Sequence, residues 1–249
     1  MFEMKKCLLC GNVENETIYY FEKFENRIVK CKCGFIYSSL ETRENVLEAY
    51  ENDYWTSYQV NQGEKSIFER IEEFEFISRE RLDFIKEFKS SGTLLDVGCS
   101  MGFLVNEANK MGFSSVGLEV NKPCIDEGIK LYKDIELHLS DLEKFDDRKF
   151  DVITSFNVIE HLDNPINFLF ECKKRLSDDG LVVIGTHDIE SETHKKLKSD
   201  WKQITVDGDH LYYFSISTMN RLADMCGFET VHTHKPIDPS FTIYLKKKI

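Results

Sequence analysis

No apolar run in this 249-residue chain approaches the ~20 residues that span a bilayer. The opening MFEMKKCLLCG also lacks the apolar core of a secretion signal. Together these absences predict a cytoplasmic protein with no membrane partner. Positive charge is in deficit: 32 Lys and Arg against 44 Asp and Glu leave a net charge of −12. Such a surface repels polyphosphate, so nucleic acid is not an expected partner. Repeats and low-complexity tracts are missing, and four prolines and 13 glycines form no flexible linker, so domain boundaries must be read from changes of pattern. Oligomeric state is not legible.

What is present suits one large α/β domain with a small appendage, at 41% hydrophobic residues. Residues 1–40 hold short β-like pieces, TIYYFEKF and RIVKC…GFIYSS, framed by two cysteine pairs. Residues 41–92 read as a helical linker or lid. In it Ile67, Phe68, Ile71, Phe74, Ile77, Leu82, Ile85 and Phe88 recur mostly at steps of three and four, and SSG supplies a C-cap. Tyr54, Trp55 and Tyr58 in this region suit either a lid or interdomain packing. Residues 93–249 alternate strand candidates (TLLDVG, SSVGLEV, IELHLS, FDVITSF, LVVIGTH) with helix candidates (Phe103–Met111, Lys122–Leu131, Pro165–Leu176). That alternation predicts a doubly wound, mostly parallel sheet. A last helix, ISTMNRLADMCGF, then leads to ETVHTHK and FTIYLKKK, an antiparallel edge hairpin whose connection includes Pro236 and Pro239.

The turn after the first of these strands, Asp96-Val-Gly98-Cys-Ser-Met-Gly102, lacks both the G-x-G-x-x-G dinucleotide fingerprint and the Walker lysine. Asp96 would repel a phosphate and suits an ammonium group. Glu119, 21 residues beyond Gly98 at the end of the second strand, suits the two hydroxyls of a ribose. Asp141, after the third strand, suits an amine of a purine. Asn157 and His161 follow the fourth strand at the mouth of the same crevice. A ligand with an amino acid end, a ribose and an adenine satisfies all of these groups.

These stretches resemble the class I S-adenosylmethionine-dependent methyltransferases. LLDVGCSMGFL is similar to their first motif, VGLEVN to the second-strand acidic motif and SDLEKF to the adenine-site motif. FDVITSFNVIEHLDNP is similar to the fourth-strand motif and LSDDGLVVIGTH to the fifth-strand motif. The resemblance covers about residues 93 to 246 and implies a Rossmann-like seven-stranded sheet that binds S-adenosylmethionine. It assigns the cofactor to Asp96, Gly98, Cys99, Ser100, Gly102, Glu119, Val120, Asp141, Leu142 and Asn157. One departure is Ser100, where the family commonly has glycine.

Cys7-x2-Cys10 and Cys31-x-Cys33 are separated by 20 residues. Two thiolate pairs on adjoining turns make a tetrahedral structural Zn2+ site, able to organise a ribbon too small for its own core. The second pair is one residue tighter than the usual C-x2-C. This region resembles the zinc-binding segment at the N-terminus of a group of bacterial small-molecule methyltransferases.

Methyl transfer is an in-line displacement that depends mainly on alignment, and a hydroxyl nucleophile gains from a base with a pKa near 7. By the resemblance, His161 lies beside the methyl group and His210, in VDGDHLYYFS, lies where the substrate pocket closes. Glu160 and Asp209 are candidates to orient them, and His187 is a third histidine candidate. The expected reaction is O-methylation of a small polar acceptor: a sugar, a nucleotide-linked sugar or a surface-polysaccharide precursor. The alternatives are N- or C-methylation of another small metabolite, or a non-catalytic zinc-containing binding protein with a vestigial cofactor fold. The adenine-N6 signature [DN]-P-P-[YF] is absent, which argues against nucleic-acid bases as acceptors.

Overall fold

The computed structural model describes residues 5–40, 66–205, 209–235 and 238–248. Residues 41–65, with Tyr54, Trp55 and Tyr58, and Pro236 lie outside the described residues.

Along the chain run β1 (Asn15–Phe21), β2 (Asn26–Cys31), β3 (Ile36–Ser38), α1 (Ile71–Lys86), β4 (Gly92–Val97), α2 (Phe103–Lys110), β5 (Phe113–Glu119) and α3 (Lys122–Leu131). After these come β6 (Glu136–Leu139), β7 (Phe150–Phe156), α4 (Pro165–Arg175), β8 (Leu176–His187), α5 (Glu192–Leu197), β9 (Tyr212–Tyr213), α6 (Ile216–Met225), β10 (Phe228–His234) and β11 (Ser240–Lys247). Local chemistry sets many of these boundaries. A 3-10 turn at Ile67–Arg70 leads into α1 through a capping box between Ser66 and Glu69. The Asn121 side chain accepts from the Cys124 amide to start α3, and a Ser215–Thr218 box starts α6.

The seven-stranded sheet has the order β10-β11-β8-β7-β4-β5-β6. Strand β4 pairs in parallel with β5 on one side and β7 on the other, so chain order reverses at β4 and β7, where open α/β sheets bind ligands. The outer pair β10 and β11 is antiparallel, which is the expected edge hairpin. Leu94, Leu95, Val152 and Ile153 are fully buried, as central parallel strands covered on both faces require. Each such side chain contributes about 1.5–3 kcal/mol.

The described residues form two compact units. One draws on the described residues among 5–40, 156–170 and 184–248, the other on 66–155 and 171–183. In the second, α1 buries Leu82 and Ile85, and its Phe74 stacks on Phe103 of α2 with ring centroids 5.0 Å apart. The first contains a four-stranded antiparallel sheet, β1-β2-β3-β9, in which β2 buries Ile28, Val29 and Cys31.

Three boundaries differ from the sequence expectation. Helix α1 stops at Lys86 and leaves Phe88 outside it. Strand β8 begins at Leu176, five residues before the LVVIGTH run at which the strand pattern starts, and takes in the residue expected to end the preceding helix. The two-residue strand β9, which completes the N-terminal sheet by pairing Ile36 with Tyr213 and Tyr37 with Tyr212, is too short to leave a periodic signal.

Candidate active site

The loop after β4 holds three left-handed residues at alternate positions: Gly98 at φ 77°, Ser100 at φ 50° and Gly102 at φ 81°. Gly98 and Cys99 both donate their amides to the Leu118 carbonyl, at 2.8 and 2.9 Å, so the loop folds back over the end of β5. A side chain at Gly102 would meet Ile135 at 3.0 Å and Leu137 at 3.1 Å. The departure at Ser100 therefore has a structural meaning: this position wants glycine, and serine occupies it at a backbone cost of about 1–2 kcal/mol.

Two buried carboxylates flank this loop. The Asp96 side chain, 5% exposed, accepts from the Thr154 hydroxyl at 2.7 Å. Burial pushes its pKa up to about 7, assisted by the Glu119 charge and opposed by Thr154 and Arg81. Glu119, 4% exposed, accepts three backbone N–H groups: Ser100 at 2.9 Å on one oxygen, and Val120 at 2.8 Å and Asn121 at 2.9 Å on the other. Burial raises its pKa against those three bonds. Glu119 thus pins the glycine loop as well as ending β5, a role the sequence reading missed. The Asp141 carboxylate accepts from Lys144, from its amide at 2.8 Å and its ammonium at 2.6 Å. These bonds outweigh partial burial and lower its pKa. The neighbouring Leu142 is buried. Asn157, exposed just past β7, has φ 56° and donates its amide to the Gly185 carbonyl at 2.8 Å.

In the other unit, the residues after β7 and those before β9 meet. The Leu211 and Tyr212 amides both donate to the Glu160 carbonyl, at 2.9 and 3.2 Å, and this clamp brings His210 to His161 with ring centroids 4.5 Å apart. The Nδ1 atom of His161 faces the Asp209 main-chain oxygen at 2.9 Å and a carboxylate oxygen of Asp209 at 3.2 Å. Burial disfavours its charged form, but Asp209 and Glu160 outweigh that and raise its pKa. His210 Nδ1 faces the Gln203 carbonyl at 2.8 Å. Burial and the His161 charge push its pKa down to about 3. His187, whose Nδ1 lies 3.2 Å from the Ser240 hydroxyl, is pushed down to about 4 for the same reasons. Glu160 is 2% exposed, and neither of its carboxylate oxygens has a hydrogen-bond partner among the described residues. Burial raises its pKa, against the pull of His161 and of the nearby Thr186 hydroxyl. Glu160, His187 and His210 border a small recess of about 10 Å³ whose wall also includes Thr186, Trp201, Gln203 and Tyr213.

The structure therefore joins both predicted histidines, His161 and His210, and adds His187 to them. Trp201 and Gln203 escaped the sequence reading, because nothing local distinguishes them within the 195–209 loop.

The four N-terminal cysteines converge as well. Their sulfurs lie within 4.8 Å of one another, with Cys7 to Cys33 and Cys10 to Cys31 both at 3.5 Å. Four thiolates about 2.3 Å from one zinc ion stand roughly 3.8 Å apart, so this set can hold a tetrahedral ion. The shorter Cys31-x-Cys33 spacing is accommodated because Gly34, at φ 90°, turns the chain tightly and donates its amide to the Cys31 carbonyl at 2.8 Å. At Cys33 the Phe35 amide and the other three thiols outweigh burial and bring the pKa down to about 7, whereas burial raises Cys7 and Cys31.

A family model described as a methyltransferase domain matches residues 69–233. The chain belongs to this family. It is 30% identical over 151 residues to the mitochondrial ubiquinone biosynthesis O-methyltransferase of Candida albicans, covering 46% of each chain. It is 28% identical over 180 residues to the ubiquinone biosynthesis O-methyltransferase of Pelagibacter ubique (strain HTCC1062), covering 67% of each. The match thus spans less than half of the first relative's length. Among solved structures, magnesium protoporphyrin IX methyltransferase from Synechocystis PCC 6803, with S-adenosylhomocysteine bound, superposes at a TM-score of 0.62 with 12% identity, over 82% of this chain and 98% of that one. The 1,6-didemethyltoxoflavin-N1-methyltransferase of Burkholderia thailandensis, with its substrate and S-adenosylhomocysteine bound, gives 0.61 at 13% identity, over 95% of this chain and 100% of that one.

The family match, the strand order and the shared fold make this chain a class I S-adenosylmethionine-dependent methyltransferase. Its buried Asp96 and Glu119 and its left-handed glycine loop fit the family's cofactor. Among the described residues, no helix is long and apolar enough to cross a membrane.

Proposed function

We propose that this methyltransferase transfers the methyl group to an oxygen of a small, hydroxylated acceptor bound in the recess beside Glu160, His161, His187 and His210. The observation that carries this reading is the convergence of His161 and His210 on the buried Glu160 carboxylate, whose oxygens have no hydrogen-bond partner among the described residues, with the His187 ring 6.2 Å from that of His210. That cluster supplies lone-pair atoms where a hydroxyl has to lose its proton.

S-adenosylmethionine supplies an electrophilic methyl group. Asp96 receives its ammonium group, Glu119 its ribose hydroxyls, and the Gly98–Gly102 loop lets the backbone approach closely. Cys99 and Val120 flank those groups, and Asp141 and Leu142 border the adenine, while Asn157, in the other unit, is assigned to the cofactor by the resemblance alone. Glu119 is already held by three amides, so the ribose meets a fixed acceptor. Asp209 and the Gln203 carbonyl hold the His161 and His210 rings and set which nitrogen of each carries the proton. His161 and His210 are the catalytic residues of this reading.

The recess presents aromatic faces (Trp201, Tyr213) next to polar groups (Gln203, His187), a lining suited to a hydroxylated ring such as a sugar, a nucleotide-linked sugar or a polysaccharide precursor. An aromatic hydroxyl acceptor is the second reading, favoured by the names of the O-methyltransferase relatives. The test is a panel of sugars, nucleotide sugars and hydroxylated aromatics, assayed by S-adenosylhomocysteine release and product mass. An O-methylated product whose formation collapses in both His161→Ala and His210→Ala is expected. An N- or C-methylated product, or full turnover in both variants, refutes the reading.

A further inference from the structure

We propose that Glu160, His161 and His210 bind a divalent transition-metal ion, at a site separate from the four-cysteine cluster.

Each of the three residues offers one ligand atom, and these atoms lie within 4.8 Å of one another. Imidazole and carboxylate ligands sit about 2.0–2.2 Å from zinc and similar ions, which places ligands of one ion roughly 3–4 Å apart. Small side-chain adjustments close the set.

The outer partners fit a metal site too. Both Nδ1 atoms face main-chain carbonyls, Asp209 at 2.9 Å and Gln203 at 2.8 Å. A carbonyl only accepts, so each Nδ1 carries the hydrogen and each Nε2 keeps its lone pair. Such an anchor on the far nitrogen is how metal-ligating histidines are held, and Asp209 adds a carboxylate 3.2 Å from His161.

Charge supplies the third argument. Glu160 is 2% exposed with neither carboxylate oxygen hydrogen-bonded among the described residues, a costly state for a buried acid unless a cation or donor arrives. An acceptor hydroxyl that ionised beside Glu160 and Asp209 would meet two negative charges, whereas a divalent ion reverses the sign of that field. Two nitrogens and one carboxylate suit zinc, manganese, iron(II), cobalt or nickel better than magnesium. Three protein ligands leave positions open, and the recess with His187, whose ring centroid is 6.2 Å from that of His210, has the size of one water ligand.

This inference rests on the acceptor-site reading and replaces its proton step: with the histidine lone pairs on the ion, a hydroxyl bound to the ion would give up its proton to water, its O–H pair remaining on oxygen as an anion. The test is calorimetric titration of the full chain with Mn2+, which thiolates bind poorly, and with Co2+ read by absorption, where four-thiolate coordination has a strong near-ultraviolet signature. One Mn2+ per chain is expected, weakened by about 10- to 100-fold or more in Glu160→Gln and His210→Ala and unchanged in Cys33→Ser. S-adenosylmethionine binding by the variants reports that they remain folded. Absence of Mn2+ binding in the unmutated chain, or binding unaffected by both variants, overturns the site. Full turnover by metal-free protein overturns the metal alone and leaves the acceptor reading standing. Full turnover by Glu160→Gln and His210→Ala with Mn2+ binding lost overturns the acceptor reading instead.

Discussion

Two glutamates in this protein are almost equally hidden from water, yet their surroundings are opposite. The Glu119 carboxylate, on a residue 4% exposed, is gripped by three backbone amides; the Glu160 carboxylate, on a residue 2% exposed, accepts from none of the described residues. The first is a finished piece of architecture: its charge is compensated by the fold itself, so it fixes a loop whether or not a ligand is present. The second is an incomplete one, stable only because the rest of the unit carries the cost, and incompleteness of that kind marks a place built for something else to enter. Burial alone does not separate an acid whose oxygens the fold has filled from one whose oxygens it leaves open, but the count of donors around it does.

Several measurements sharpen or break this contrast. The largest effect is expected at Glu119→Ala, which strands three buried amides and should cost roughly 3–5 kcal/mol in urea unfolding, with loss of S-adenosylmethionine binding. A loss below about 1 kcal/mol would show that the amides find other partners and that the two glutamates are alike. Glu160→Gln should do the reverse, leaving stability unchanged or raising it by about 1 kcal/mol while lowering turnover by about 100-fold. Because the Glu160 pKa is raised by burial, its charge penalises the folded state as pH rises. The Glu160→Gln gain should therefore be greater in alkaline than in acidic buffer.

A smaller and subtler effect concerns Asp96. With its pKa pushed from 3.8 up to about 7, the ligand-free fold binds a proton that the unfolded chain has already released, so this residue's contribution to stability falls as pH climbs from about 4 to about 7. An ammonium group arriving at Asp96 favours the carboxylate and should expel that proton. Calorimetry in buffers of different ionisation enthalpy should then show up to one proton released per S-adenosylmethionine bound near pH 6, fading above pH 8. Zero release at pH 6 would remove Asp96 from the ammonium site. The smallest effect is expected at Ser100→Gly, which relieves the left-handed serine and should stabilise the chain by about 0.5–1 kcal/mol in thermal unfolding. A loss of stability would mean that the Ser100 side chain contributes more than its backbone costs.

The stretches that carry the family resemblance were legible because their residues are local in the sequence. Asp96, Gly98 and Gly102 sit within seven consecutive residues, and Glu119 and Asp141 stand at the ends of short strands whose pattern is plain. Even the cysteine cluster drew on two short motifs. The proposed acceptor site was legible only in part: His161 and His210 stood out as histidines, but their meeting depends on the Glu160 carbonyl clamping residues 211 and 212, contacts across 51 and 52 positions that no periodicity encodes. Trp201 and Gln203 enter the recess through an irregular loop, where neither residue type nor spacing carries information. Glu160 itself was seen as an assistant to its neighbour; that its carboxylate lacks hydrogen-bond partners among the described residues is a property of packing and has no sequence signature.

The two-residue strand β9 joins the cysteine-bearing sheet to the very segment that delivers His210. Phe35, between the second cysteine pair and β3, stacks on Tyr212 of that strand with ring centroids 5.8 Å apart, and Arg221 of α6 reaches the Cys33 carbonyl at 2.9 Å. In evolutionary terms the N-terminal segment and residues 210–213 form one heritable block although the chain separates them by more than half its length. Recombination that exchanged the first 40 residues with those of a relative would have to carry the matching stretch before α6 along with them, or deliver a foreign edge to a strand that cannot pair with it.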